Sequence, residues 1–539
     1  MQSEPSALRD FTVDRRVWLL SSVALVIGVG ATFLAVLLLR LIAISTNLFY
    51  YHRFSAATVS PAGSSLGYWM ILVPVVGGLL VGVMARFGSD KIRGHGIPEA
   101  IEAILLNRAR VDPKVAILKP ISAAISIGSG GPFGAEGPII MTGGALGSLV
   151  AQWIHLTDAE RTTLLVAGAA AGMSATFATP VAAILLAVEL LLFEWRPRSL
   201  VPVAIASATA GVLRFYLLGA GPLFPMPLIS NVHRVQFSIG ALILGAIVGL
   251  IAAGMSRMMY AFEDMFEHLH VHWMWWPAIG GLGVGIGGLF FPRGLGVGYD
   301  NIAELLHGNA SMALIVGIII AKSLMWAFSL GSGTSGGVLA PLLMIGGAVG
   351  ALAAHLAHGS VEAQAFWALI GMGSMLAGSL GVPLTAILFS LEVTHCLPAL
   401  LPLTMGCISA YLVTALLMPR SILTEKLSRR GYHLTREYGI DPLETVIVSE
   451  LMSPGPSPST LHADDAALPE LFAYADSTCR GAAELMATEG VASIPVVNRV
   501  TGRVSGTLTL QDLLRGRSKA VVRESERLRL FDHRDGTGV

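Results

Sequence analysis

Apolar residues run almost unbroken over 17–44, 68–87, 163–193, 200–219, 236–254, 273–291, 311–330, 366–392 and 398–418. Each run is long enough for a helix that crosses a hydrocarbon layer of about 30 Å. Between them lie shorter apolar stretches at 97–106, 117–127, 137–151 and 338–357, bounded by glycine, which cannot all cross fully. Irregular backbone survives at depth in lipid only where protein or a water-filled cavity surrounds it, so these short segments predict broken, re-entrant helices around a buried site. The pattern predicts an all-α polytopic membrane protein.

The chain also repeats itself 203 positions on. Lys119, Ala124, Ser126, Gly128, Ser129, Gly130, Gly134 and Pro138 return as Lys322, Ala327, Ser329, Gly331, Ser332, Gly333, Gly337 and Pro341. The register continues through Met141 and Gly147, which return as Met344 and Gly350, to Pro180 and Glu189, which return as Pro383 and Glu392. Two copies of an interrupted-helix pattern place a transport site between the halves, here 17–219 and 236–420. An odd number of crossings in each half makes the two copies inverted.

Three glycine turns each lead into a helix. They are Gly94-His95-Gly96-Ile97-Pro98, Gly134-Ala135-Glu136-Gly137-Pro138 and Gly337-Val338-Leu339-Ala340-Pro341. Proline suits the first helical turn, where its missing N–H costs nothing, and glycine lets the chain turn tightly. The product is a set of exposed N–H groups carrying the equivalent of about half a positive charge. Such helix starts, converging from two repeats, bind an anion without a formal cation, and so do not hold it too tightly to release it. Glu136 lies between two of these glycines among apolar residues, where an ionisable group costs at least about 2.5 kcal/mol at mid-membrane. A carboxylate there can compete with the anion for its site and swing away when protonated, which makes it a gate and a proton carrier. Glu189 and Glu392 close helices and read as interfacial anchors.

Composition agrees. The 539 residues are 54% hydrophobic and 13% charged, with a mean hydropathy of +0.69, too little polar surface for a water-soluble globule. The first apolar run is too long for a signal-peptide core and reads as a retained helix. Net charge is zero, which gives no support to nucleic-acid binding, and Cys396, Cys407 and Cys479 have no metal-binding spacing. Arg9, Arg15 and Arg16 precede the first helix, and a charged stretch closes the chain, so both termini are expected in the cytoplasm.

Residues 1–16 are thus expected as a cytoplasmic N-terminus and 17–420 as the membrane domain. Lys426, Arg429, Arg430, Arg436 and Glu437 mark 421–445 as a solvated linker. Residues 446–516 read as a small α/β module, with strands at Ile494 to Asn498 and Val504 to Leu508, and 517–539 as a disordered charged tail.

The three turns, Pro292 to Tyr299 and the duplicated proline-to-glutamate helices together resemble the CLC family of chloride channels and proton-coupled chloride transporters, over roughly residues 20 to 430. The resemblance implies a homodimer of two inverted-repeat subunits, multi-pass in the cell membrane, each with its own pore for chloride and, in coupled members, protons. It implies Glu136 as the external gating glutamate. It also implies anion contacts at Gly94, His95, Gly96, Ile97, Pro98, Gly337, Val338, Leu339 and Ala340. Several positions depart from the family pattern. His95 replaces a serine whose hydroxyl meets the ion, Ala135 an arginine, and Leu339 a phenylalanine. Leu423 replaces a tyrosine that contacts chloride from the inner side, a contact leucine cannot make. Leu190 stands where coupled members carry an inner proton-accepting glutamate, which argues for weaker coupling. The C-terminal module resembles a CBS domain, in which Thr509 and Asp512 match positions that contact the ribose of adenine nucleotides. Only one such unit is legible, so its pairing is expected across the dimer.

Rival readings have a textual basis. Gly333-Thr334-Ser335-Gly336 matches the G-x-S-G of intramembrane serine proteases, with His355 or His395 as base. The 203-residue repeat already explains that stretch. His268, His270 and His272 suggest a metal, yet no carboxylate or cysteine completes a site, and Trp273, Trp275 and Trp276 make an interfacial belt the better reading. Fluoride export by a related branch is the nearest alternative transport function.

Overall fold

In the computed structural model, residues 15–227, 235–429, 431, 441–454 and 471–518 are described, and they fall into two units, one ending at Thr435 and the other carrying the C-terminal module. Arg9, Arg430, Arg436, Glu437 and the charged tail beyond 518 lie outside the described residues.

The first half of the membrane unit comprises α1 (Arg16–Tyr51), α2 (Leu72–Phe87), α3 (Ile97–Leu105), α4 (Pro113–Gly128), α5 (Glu136–Gln152), α6 (Asp158–Phe177), α7 (Pro180–Leu186) and α8 (Pro197–Leu217). The second comprises α9 (Val235–Glu267), α10 (Trp276–Phe290), α11 (Tyr299–Leu306), α12 (Met312–Gly317), α13 (Ser323–Gly331), α14 (Leu339–Leu356), α15 (Val361–Leu380), α16 (Pro383–Thr394) and α17 (Leu400–Leu417), followed by the short α18 (Glu425–Arg429). A π-helical turn, Ile318–Lys322, joins α12 to α13 and carries one of the two repeat lysines. Among the described residues, eight helices are long and apolar enough to span a membrane.

Two of the apolar runs turn out to be broken. Residues 163–193 divide into α6 and α7 at Ala178, which adopts the left-handed conformation just before Pro180. Residues 366–392 divide into α15 and α16 at Gly381 and Pro383 in the same way. Hydropathy is blind to such breaks because both sides stay apolar.

The repeat is a packing rule as well as a sequence pattern. A Cβ on Gly143 would lie 2.3 Å from the Gly168 carbonyl oxygen, and one on Gly346 2.4 Å from that of Gly371, so α5 meets α6 as α14 meets α15. Across the two halves, Gly78 presses on the Pro277 carbonyl at 2.1 Å and Gly281 on that of Pro74 at 2.2 Å, measured to a built Cβ. Small residues of this kind let membrane helices approach to backbone contact, the main source of association where lipid is as apolar as the helix face.

Glu189 and Glu392 are helix caps rather than interfacial anchors. Glu392 accepts the N–H groups of Val181 at 3.0 Å and Ala182 at 2.8 Å, at the start of α7. Glu189 accepts those of Leu384 at 3.2 Å and Thr385 at 2.8 Å, at the start of α16. The two helices therefore run antiparallel, and Glu392 near the end of α16 and Glu189 in the π-helical turn Ala187–Leu192 that continues α7 each satisfy the other helix's orphan donors.

The start of the expected linker is docked, not solvated. Lys426 of α18 bonds Glu99 at 2.6 Å, and Arg429 pairs with Asp264.

In the C-terminal unit, α19 (Pro442–Thr445), α20 (Val448–Leu451) and α21 (Cys479–Glu489) accompany β1 (Ser453–Pro454), β2 (Ala473–Tyr474), β3 (Ser493–Val497) and β4 (Val504–Thr509). The sheet order is β1-β4-β3-β2, with β3 antiparallel to β4 and parallel to β2. Ile494, Val496 and Leu508 bury one face against Cys479, Ala482 and Met486.

Candidate functional site

All three glycine turns converge. Gly134 and Gly337, equivalent residues of the two repeats, exchange both backbone hydrogen bonds, at 3.1 and 2.8 Å. Gly94 donates to the Thr334 carbonyl at 3.0 Å. Gly137 fits beneath the His95 carbonyl, where a Cβ would come within 1.7 Å of the oxygen. At Gly137 and Gly337 a Cβ would meet backbone, so only glycine permits those approaches, and Gly94 and Gly96 also hold φ of 80° and 90°, conformations other residues rarely adopt.

The helices begin two residues earlier than the prolines suggest, so Glu136 and Leu339 are each the first residue of their helix. Glu136 is fully buried. Its carboxylate folds over Gly134 and rests against Gly337, and it faces the N–H groups of Glu136 itself and of Ala340 without a well-aligned hydrogen bond to either oxygen. A carboxylate thus occupies the anion-attracting start of α14, as expected of a gate that competes with its substrate.

The N–H groups of the turns are not all available, however. That of Gly96 donates to Glu99 at 2.8 Å, that of Gly94 to Thr334, and those of Gly134 and Gly337 to each other. Gly96 and Gly337 therefore shape the anion site and do not donate to it. What remains at the first turn is the Ile97 N–H at the start of α3, Pro98 having none, together with His95, which is 3% exposed and whose Nδ1 has no partner. At the third it is the start of α14 at Val338, Leu339 and Ala340, all fully buried. Leu423 is buried too, and its loop is fixed by Tyr260 of α9, whose hydroxyl donates to the Ile422 carbonyl at 2.6 Å.

Formal cations stand behind the turns, a feature that spacing and composition alone do not reveal. Lys119, fully buried, donates to the carbonyls of Ile92 and Gly94, both at 2.8 Å. Lys322 does the same for Gly296 at 2.7 Å. Gly296-Val297-Gly298 is the repeat partner of Gly94-His95-Gly96, displaced by one residue from the general offset, and leads into α11 as the other leads into α3. A cavity of about 530 Å³ opens beside Gly94, Glu99, Lys426 and Arg429, and another of about 470 Å³ beside Gly296 to Tyr299.

The remaining candidates resolve plainly. Ser335 is fully buried and accepts from the Ser122 hydroxyl at 3.2 Å, with neither His355 nor His395 as its partner. His268 bonds the Asp264 carbonyl and His272 caps a turn at Met274, and among the described residues no group of three side chains could hold a metal. Thr509 and Asp512 bond each other, hydroxyl to carboxylate at 2.6 Å, as the cap of the helix over 510–518.

Residues 76–415 match the protein family described as voltage gated chloride channel. The chain is 32% identical over 385 residues to the H(+)/Cl(-) exchange transporter ClcA of Citrobacter koseri, a span of 67% of this chain and 80% of that protein. It is 31% identical over 370 residues to chloride channel protein CLC-f of Arabidopsis thaliana, 63% of this chain and 46% of the plant protein. The solved structure of a slow cyanobacterial Cl-/H+ antiporter superposes with a TM-score of 0.67 over 78% of this chain and 99% of that one. At 23% identity that likeness concerns the fold.

Proposed function

We propose, for a chain that belongs to the voltage gated chloride channel family, that it carries chloride across the membrane in exchange for protons along a path gated by Glu136. The observation that carries the reading is the Glu136 carboxylate itself, fully buried and lacking a well-aligned hydrogen bond, between the starts of two helices from opposite repeats. Protonation removes the negative charge that competes with chloride for those helix starts. The side chain then leaves, chloride enters, and the proton is delivered on the opposite side when the carboxylate returns. His95, Val338, Leu339 and Ala340 line the place the ion takes. The name of the Citrobacter koseri relative, an exchange transporter, supports the same reading.

The face bearing α18 is taken as cytoplasmic, since Lys91, Arg93, Arg110, Lys426 and Arg429 gather at its cavity and basic residues concentrate on that side of membranes. The protein is read as a homodimer in the cell membrane with both ends of the chain inside. The small unit serves this reading as an assembly module, because Thr509 and Asp512 are spent on each other as a cap. Leu190 and Leu423 favour a second reading, chloride permeation with loose proton linkage.

Reversal potentials in proteoliposomes under opposed chloride and pH gradients decide between them. A potential that shifts with pH establishes exchange, a potential that follows chloride alone establishes uncoupled permeation, and a potential set by fluoride in preference to chloride contradicts both.

A further inference from the structure

The outer cavity has features that the gate does not account for. Gly296 to Tyr299 form one wall, at the start of the eight-residue α11. Lys322 draws the Gly296 carbonyl to itself at 2.7 Å, and because the peptide is planar the Val297 N–H is turned the opposite way; Val297 lines the cavity. This is the arrangement that Lys119 imposes on Gly94 and His95 at the inner turn.

Two arginines face this wall. Arg214 of α8 is 5% exposed and lines the cavity. Its Nη1 donates to the Gly219 carbonyl at 3.1 Å, but its Nε is buried and has no partner. Arg40 lies eleven residues before the end of α1, where it and Arg16 are the charged residues of the helix, and also lines the cavity. Among the described residues it makes no hydrogen bond or ion pair. Two cations against one wall, opposed by the single carboxylate of Asp300, leave the cavity positive. The buried, unpartnered Arg214 Nε is costly there unless something meets it.

Tyr299 connects the cavity to the gate. The residue lines the cavity while its hydroxyl is buried without a partner, within electrostatic reach of Glu136. Ala135, beside the gate, is uncharged, and the positive charge at this cavity is that of Arg40 and Arg214.

We infer that the outer cavity is a capture site for a small inorganic anion, a halide or nitrate, held by Arg40, Arg214 and the start of α11 before it passes Tyr299 to Glu136. The inference rests on the chloride-transport reading and adds to it a second anion position, built by the repeat partner of the inner turn. Binding stays weak because the arginines act across a wet cavity, as a site on a transport path requires.

Arg40 is the residue to change, since Arg214 also holds the end of α8. In vesicles of zwitterionic lipid, Arg40→Gln should raise the external chloride concentration for half-maximal flux about fivefold, the loss of one charge at about 4 Å in a water-like medium. The deficit should shrink as external chloride rises. Arg40→Cys should behave alike, be rescued by an externally added, impermeant cationic thiosulfonate, and be worsened by an anionic one. Unchanged external chloride dependence in both variants overturns the capture site. An effect confined to vesicles of anionic lipid does so as well, and makes Arg40 a headgroup anchor. Titration calorimetry of the detergent-solubilised protein with chloride separates this failure from failure of the transport reading. A wild-type binding heat that is reduced in Arg40→Gln supports the capture site even if no vesicle carries flux, and equal heats contradict it.

Discussion

Lys119 and Lys322, equivalent residues of the two repeats, are both fully buried, and both spend their ammonium groups on the carbonyl that opens a Gly-x-Gly turn. Each pulls a carbonyl backwards and thereby turns the following N–H forwards. The charge near the anion path is thus delivered through peptide dipoles, with the formal cation held one layer behind, which attracts an anion without trapping it.

Replacing Lys119 with methionine should strand the Ile92 carbonyl in the interior, at about 1–3 kcal/mol for an orphaned acceptor, and leave the Gly94 carbonyl with only the Gly336 N–H at 3.4 Å. The expected outcome is a lower unfolding temperature in detergent, followed by tryptophan fluorescence, and weaker chloride binding. Lys114→Met, on the exposed side of the same helix, should do neither.

At Gly134 the atoms in the way are movable. A Cβ there would fall 1.6 Å from the Glu136 Oε2, and its three nearest neighbours all belong to the Glu136 carboxylate. Gly134→Ala should therefore expel the carboxylate while the backbone stays in place, giving flux that no longer falls with rising pH. In Gly337→Ala the Cβ meets the Gly134 carbonyl oxygen at 2.6 Å, which cannot swing away, so that variant should lose both flux and stability. Flux assays on the purified pair distinguish the two outcomes.

The acid caps can be tested by shape and charge. Glu392→Leu should cost about 1–2 kcal/mol by leaving the Val181 and Ala182 N–H groups without their acceptor, and Glu392→Gln should cost less because one oxygen remains. Denaturation in mixed micelles reads the order of the two.

Much of the site is legible in the amino-acid sequence. The repeat from Lys119 onward, the three turns and Glu136 stand out because glycine, proline and a lone carboxylate are conspicuous among apolar residues. The same offset also relates Pro74, Gly77, Gly78 and Gly82 to Pro277, Gly280, Gly281 and Gly285, but glycines within a uniformly apolar run carry no obvious register until their contacts across α2 and α10 are seen. The kinship of the Gly94 and Gly296 turns is hidden by a one-residue slip. Glu189, Glu392 and Lys426 act on partners far along the chain, and no local pattern announces a cap supplied from the other repeat.

Cys479 supplies a pH test in the C-terminal unit. Burial, with Glu450 nearby, pushes its thiol from 9.0 up to about 11. The folded unit therefore favours the neutral thiol, and the associated stability is fully present below the ordinary value and is lost as pH rises towards about 11. Maleimide labelling at neutral pH should be slow in the folded protein and fast in denaturant; equal rates would place the thiol at the surface. Cys396 and Cys407 are also buried, so an introduced Arg40→Cys thiol should be the reactive one.

On this reading a buried carboxylate and chloride compete for the same helix starts. The most direct test is chloride efflux and proton uptake in proteoliposomes as a function of pH, for the wild type and Glu136→Gln. Wild-type efflux should rise on acidification with accompanying proton uptake, and the variant's efflux should be insensitive to pH and move no protons. A Glu136→Gln protein that keeps the wild-type pH response and proton movement would contradict it.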